Sequence, residues 1–423
     1  MTQAPIHPLA QQALAAASAG HWEVAERLWR ELLHQRPGDA QALHSLGIHA
    51  HRRGQSDEAL ALLQQAHRAA PRDPMILVSV ALVLCERGDR DGEWQALELA
   101  LSAQPAFLPA LLAKAEHLER RACPHVAAIQ WFRAAREARG EAGAWPAPVR
   151  ARLQAARLKV NERGESLRHY LEDRLAVTAA KLSPLEAARW REAGAIFSGR
   201  AKPYPSIPAR LLVPRLPALP FFETASFPWA AELRRRTSVI REEFEALRGR
   251  HAEGFQPYIA FGAGAPLQQW RELNHSARWS TCFLWRDGVP QLDAQRLCPE
   301  TTAALGLVDM ADIDGLCPNA MFSVLAPRTR IPPHHGETNA RLVVHLPLIV
   351  PEGCRYRVGA EWREWEVGEA LVFDDSIEHE ARNDGDGSRA VLIFDVWNPL
   401  LSEAERDMVR QISAAARDFQ AIP

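Results

Sequence analysis

The 423-residue sequence contains no run of about 18 uninterrupted apolar residues, so no membrane-spanning helix is expected. Its six cysteines (Cys85, Cys123, Cys282, Cys298, Cys317 and Cys354) are scattered and form no CxxC pair. That spacing suits a reducing compartment better than a disulfide framework. The opening residues, MTQAPIHPLAQQALAAASAG, lack a basic stretch followed by an apolar one, so no signal peptide is read and a cytoplasmic location is expected. Charge of either sign is also not in excess: 50 Lys and Arg stand against 52 Asp and Glu, and the formal net charge is −2. Nothing electrostatic therefore argues for nucleic acid or an anionic membrane as partner. What remains is an ordinary soluble composition, 47% apolar and 24% charged, on a chain long enough for two or three domains.

The amino-terminal third is periodic. Pro37, Pro71 and Pro105 are spaced by 34 residues, as are Gly20, Gly54 and Gly88, with Ala122 on the next register. Ala25 and Ala59 repeat, give way to Glu93, and return at Ala127, while Trp29, Leu63, Leu97 and Trp131 form a ladder of large residues. The unit ALHSLGIHAHRRGQSDEALALLQQAHRAAPRD resembles the tetratricopeptide repeat. Small residues such as Gly47 and Ala59 let two helices cross closely, Leu63 and its equivalents fill the layer between repeats, and each proline stops a second helix. One helix pair cannot bury its own apolar face, so about four stacked pairs are expected over residues 1–140. Such stacks offer a groove for a peptide or partner protein. Residues 141–200 keep a helical pattern and read as a cap or linker.

Composition changes at AKPYPSIPARLLVPRLPALPFFETASFPW, where repeated prolines exclude a long helix. One further helix follows in AAELRRRTSVIREEFEALRG. Beyond Gln256, short apolar stretches alternate with turns: STCFLWRDG, NAMFSVLAP, ARLVVHLPLIV, CRYRVG, EWREWEVG, EALVFDD, HEARND and RAVLIFDVW. This spacing predicts a sandwich or barrel, jelly roll included, over residues 201–423.

Within that region His334 stands at a strand-edge loop, His379 follows 45 residues later, and Arg389 comes ten residues after that. Two neutral imidazoles can hold Fe(II) while leaving positions open, and a guanidinium fork matches a carboxylate. This is the skeleton of a jelly-roll oxygenase dependent on non-haem Fe(II) and 2-oxoglutarate. The acid such sites carry two residues after the first histidine is absent, because that position is Gly336. Glu337 has the wrong strand parity to replace it. Asp374 and Asp375, beside the His379 turn, read as residues that fix the loop. His335 reads as a loop residue at the pocket mouth, and Trp362 and Trp365 as packing on a hairpin.

The segment HHGETNARLVVHLPLIVPEGCRYRVGAEWREWEVGEALVFDDSIEHEARND, with RAVLIFDVWNP after it, resembles the aspartyl/asparaginyl β-hydroxylase family. That family uses two histidines and no protein carboxylate on iron. The resemblance covers roughly residues 203–399 and is strongest over 323–399. It implies an all-α tetratricopeptide-repeat solenoid followed by a double-stranded β-helix (jelly-roll) oxygenase domain with flanking helices. It also implies Fe(II), 2-oxoglutarate as cosubstrate, and O2. His334 and His379 match the iron ligands, and Arg389 and Ser323 match the residues that grip the distal carboxylate of oxoglutarate. His345 matches a histidine near the cosubstrate's other end, although it also fits a hydrogen-bonded core histidine. Trp279 matches a tryptophan lining the site. The animal enzymes carry a second basic residue where this chain has Val343, and Arg341, on the same strand face by parity, is a candidate substitute. The implied activity is hydroxylation of Cβ of Asp or Asn in a docked peptide or protein. The alternatives are a lipid A-type acyl-chain hydroxylase of the same family, and a repeat adaptor with a non-catalytic jelly roll.

Overall fold

The computed structural model describes residues 7–137 and 145–420. The chain divides into two compact units that meet between Ala201 and Lys202. The expected boundary between residues 140 and 141 lies outside the described residues.

Four helix pairs build the first unit: α1 (Pro8–Ser18) with α2 (Trp22–Gln35), α3 (Ala40–Arg52) with α4 (Ser56–Ala69), α5 (Pro74–Glu86) with α6 (Arg90–Ala103), and α7 (Leu108–Arg120) with α8 (Pro124–Glu137). Each second helix but the last ends two residues before one of the periodic prolines. The close crossing is visible at Gly47, where an added Cβ would lie 2.7 Å from Leu63 Cγ. Gly20, Gly54 and Gly88 all have positive φ, between 76° and 81°, and Ala122 on the same register is forced to 55°. The turn geometry is thus the repeat's, whichever residue occupies it. Glu93, where the other repeats have alanine, is buried and repaired locally: His117 Nδ1 lies 2.8 Å from its carboxylate and Arg120 pairs with it as well. A 33-residue helix, α9 (Ala147–Ala179), packs Leu153 and Ala156 against Trp131 and Leu118, and α10 (Pro184–Phe197) follows with a Ser183/Glu186 capping box. Among the described residues no helix is long and apolar enough to cross a membrane.

The second unit is a jelly roll of two facing sheets. Its strands are β1 (Phe221–Phe222), β2 (Gln256–Pro257), β3 (Trp279–Arg286), β4 (Val289–Pro290), β5 (Ala320–Leu325), β6 (Thr329–His334), β7 (Arg341–Ile349), β8 (Cys354–Val358), β9 (Glu361–Glu364), β10 (Leu371–Phe373), β11 (His379–Asn383) and β12 (Arg389–Trp397). The larger sheet runs β1-β10-β7-β12-β5-β3-β2 with β4 on β3, and the smaller runs β6-β11-β8-β9. Helices α11 (Ala230–Arg250), α12 (Leu292–Leu297), α13 (Pro299–Leu305) and α14 (Glu403–Gln420) flank them. The eight strand stretches read from the sequence are all present. β6 is an addition. Its Pro332 and Pro333 cannot donate to a ladder, and the strand sits at the edge of the smaller sheet, where that loss is tolerated.

Strand parity sorts the larger sheet into two faces. Leu342, Val344, Leu346 and Leu348 of β7, Leu392 and Phe394 of β12, and Phe322 of β5 pack with Leu233, Ile240 and Phe244 of α11. The residues between them on the same strands (Arg341, Val343 and His345; Arg389, Ile393 and Asp395; Met321 and Ser323) line a cavity on the other side. Burial of both faces is why these strands read as nearly unbroken apolar runs.

Candidate active site

The cavity, about 1470 Å3, lies within the jelly-roll unit, and His334, His335, His345, His379 and Arg389 all line it. β6 and β11 bring the first pair together, since His334 is the register partner of His379 and their ring centroids are 4.0 Å apart. Each ring is oriented by a backbone carbonyl two residues earlier: His334 Nδ1 to Pro332 O at 2.8 Å, and His379 Nδ1 to Ile377 O at 3.0 Å. A carbonyl can only accept, so each Nδ1 carries the proton and each Nε2 keeps its lone pair. Burial, helped by the neighbouring His379, pushes His334 down to about 3. Burial pushes His379 down to about 4. Both rings are neutral at pH 7, the state that ligates a divalent metal. Among the described residues no group of three or more His, Cys, Asp or Glu is placed to hold a metal ion. Two imidazoles of fixed tautomer are what the chain offers, which fits the two-histidine donor set.

The position of the missing acid has a spatial explanation. A Cβ on Gly336 would fall inside the Asp375 carboxylate. The space a side chain at 336 would enter is filled by Asp375, while Gly336 N donates to Asp375 O at 2.7 Å and ties the two histidine turns together. Asp375 Oδ1 also lies 2.8 Å from Arg341 Nη1, and Asp395 Oδ1 lies 3.3 Å from Arg341 Nε. Arg341 thus faces two carboxylates, with Val343 and His345 further along the same side of β7. Glu337 turns away to Arg210, 3.0 Å from its Nε.

Deeper in the cavity Arg389 is 1% exposed, and its Nε and Nη1 have no hydrogen-bond partner. No carboxylate among the described residues pairs with it. The Trp365 ring lies 4.7 Å from its guanidinium. Burial lowers its pKa to about 10, which still leaves a cation at pH 7. An uncompensated buried cation is costly, so this guanidinium is prepared for an anion from outside. Ser323 stands nearby, one strand over from β12. Trp279 Nε1 donates to Ser323 Oγ at 3.1 Å and leaves the serine hydroxyl free to donate elsewhere. His345 is buried against Phe373, Tyr356 and Trp365, with no partner on Nδ1. Burial and the Arg389 charge hold it well below its ordinary pKa. A dicarboxylate reaching from the imidazole pair to Arg389 fits this set of donors.

The structure thus brings His334, His379, Arg389, Ser323, His345, Trp279 and Arg341 to one cavity. Several neighbours belong to the site without a motif that marks them: Tyr356, 6.0 Å from His379; Trp270, 5.0 Å from His334; and Trp365, which covers Arg389 and His345 as well as packing. Their only sequence signal is a high density of aromatics around the histidines. Trp362 does pack on the β8–β9 hairpin, against Arg355, Arg357 and Arg382.

The jelly roll thus holds two converging imidazoles and a buried arginine that no carboxylate among the described residues pairs with. Residues 234–399 match the family described as aspartyl/asparaginyl beta-hydroxylase. The "Aspartate beta-hydroxylase domain-containing protein 2" of Homo sapiens is 36% identical over 234 residues, 54% of this chain and 60% of that protein. The "Ornithine lipid ester-linked acyl 2-hydroxylase" of Rhizobium tropici is 38% identical over 190 residues, 44% of this chain and 63% of that protein. The chain therefore spans less than two thirds of either relative. Among solved structures, a thermophilic TPR protein of Thermus thermophilus aligns with 44% of this chain and 97% of its own, at 16% identity and a TM-score of 0.32. The repeat assignment stands on the helix pairs and their period.

Proposed function

We propose that the carboxy-terminal unit is an Fe(II)- and 2-oxoglutarate-dependent dioxygenase that hydroxylates a C–H bond of its substrate. The observation that carries this reading is Arg389, a buried guanidinium with no carboxylate partner among the described residues, in the same cavity as two imidazoles whose Nδ1 protons are turned to backbone carbonyls. His334 and His379 would hold the iron. Arg389 and Ser323 would take the distal carboxylate of oxoglutarate, with His345 at its other end. Bound iron supplies O2 activation, with oxoglutarate and O2 consumed and succinate, CO2 and hydroxylated product released. The chain's own part is to keep both imidazoles neutral, fix their tautomers, orient the cosubstrate, and screen the site from water with Trp270, Trp279, Tyr356 and Trp365.

The family match favours Cβ of an Asp or Asn side chain in a peptide or protein as the substrate. The repeat unit would then raise the local concentration of that peptide by docking it. A second reading, hydroxylation of an acyl chain, is favoured by the Rhizobium relative and by two features of β7. Val343 is apolar, and Arg341 is already held by Asp375 and Asp395. A substrate carboxylate would have to compete with both for that guanidinium.

Conversion of oxoglutarate to succinate, with Asp- and Asn-containing peptides and an aminoacyl lipid as alternative substrates, tests the proposal. The product should gain the mass of one oxygen atom, and His379→Ala should lose iron-dependent turnover by about 100-fold or more. Unchanged turnover in His379→Ala would remove the ligand assignment.

A further inference from the structure

We propose that the proline-studded segment from Ser206 to Val213 is a strap that sets the spacing of the two metal-binding imidazoles. This inference rests on the metal-site reading of His334 and His379 and adds a positioning element to it. The segment crosses both histidine turns and hydrogen bonds to each. On the His334 side, Ala209 N donates to Gly336 O at 2.8 Å, and Arg210 N and Leu211 N donate to Glu337 O at 3.0 and 3.1 Å. Val213 N donates to Asn339 Oδ1 at 2.7 Å, and Asn339 Nδ2 returns a bond to Val213 O at 2.8 Å. On the His379 side, Ile207 N donates to Ser376 O at 2.8 Å. Ser376 Oγ donates to Asp374 Oδ1, so the Ser206 hydroxyl donates to Ser376 Oγ. Leu211 bridges in parallel to Thr338, and Ser206 antiparallel to Ile377.

The sequence of the strap explains why it can do this. Pro205, Pro208 and Pro214 hold the chain extended and reduce its freedom before it docks. None of them falls where a donor is needed, since the donors come from Ile207, Ala209, Arg210, Leu211 and Val213. The turns it joins run on from His334, the last residue of β6, and lead into His379, the first residue of β11, so each imidazole stands at a strand end, where the ladder holds it from one side only. The Gly336–Asp375 hydrogen bond joins the turns at one point, and the strap adds contacts on both sides of it. Ala209 and Ile207 have exposed side chains, Ile207 at 55%. Their contribution is therefore the backbone N–H, which can be removed with little loss of packing.

The test uses the full chain and reads metal binding rather than turnover. Ile207→Pro/Ala209→Pro removes one N–H donor to each turn. Mn(II) affinity, measured by the loss of free-ion EPR signal, should fall at least about tenfold, and the Co(II) ligand-field spectrum should change. Far-UV circular dichroism should stay as in the wild type. Arg210→Ala, which removes only an exposed side-chain pair with Glu337, should leave both metal signals unchanged. If the double variant does not fold, Ala209→Pro alone and Ser206→Ala each serve, with an expected loss of about threefold. Folded strap variants with wild-type Mn(II) affinity and an unaltered Co(II) spectrum would overturn the strap. Wild-type protein that binds neither ion would instead overturn the metal site, and the strap's role with it.

Discussion

The two units treat a buried charge in opposite ways. In the repeat unit, Glu93 intrudes where small residues pack, and His117 and Arg120 of the next helix close on it. In the jelly roll, Arg389 is buried more completely, and among the described residues no carboxylate closes on it. A charge neutralised by neighbours marks a fold accommodating its own sequence. A charge left open at the bottom of a cavity is a cost the fold carries for a ligand. The same contrast holds for backbone strain: Ala122 accepts an unfavourable φ because the repeat turn demands it, with no ligand in view.

Three substitutions sharpen this contrast, in order of expected effect. Leu63→Ala empties a fully buried position between repeats and should cost about 2–5 kcal/mol in denaturant unfolding of the repeat unit. Oxoglutarate affinity should be unaltered, and a parallel loss of that affinity would break the division of labour drawn here. Arg389→Met replaces an unpaired buried cation with an apolar side chain of similar length. It should stabilise the ligand-free jelly roll by about 1–3 kcal/mol while weakening oxoglutarate binding by about 100-fold or more. Destabilisation of the ligand-free protein would mean that Arg389 is structural. Ala122→Gly should relieve the left-handed strain and raise the repeat unit's stability by about 0.5–1 kcal/mol, readable as a small rise in melting temperature. A fall would show that the Ala122 turn is not strained.

The two units also differ in how far the amino-acid sequence discloses them. The helical repeats are legible because their constraints are local and recur every 34 residues: a proline after each of the first three second helices, a small residue at the helix crossing, and a glycine at the first three turns. The eight main strands are legible as β-rich runs between turn residues. β6 is not, since its two prolines disguise an edge strand. The histidines and Arg389 stand out because their spacing along the chain is distinctive. Asp375 reads from the sequence as a loop residue, but its place in the space beside Gly336, and its hold on Arg341, depend on packing between turns. The strap reads only as proline-rich boundary sequence, because its partners lie more than 120 residues away. Nothing in a proline-rich stretch names the carbonyls it will meet.

The central claim is that Arg389 is held open for a dicarboxylate beside a two-histidine metal site. Anaerobic calorimetric titration of oxoglutarate into Fe(II)-loaded protein, wild type beside Arg389→Met, addresses it most directly. The account predicts saturable one-to-one binding to the wild type that requires iron and is lost, or weakened by about 100-fold, in Arg389→Met. Equal binding by both proteins, or no binding by the wild type, would contradict it.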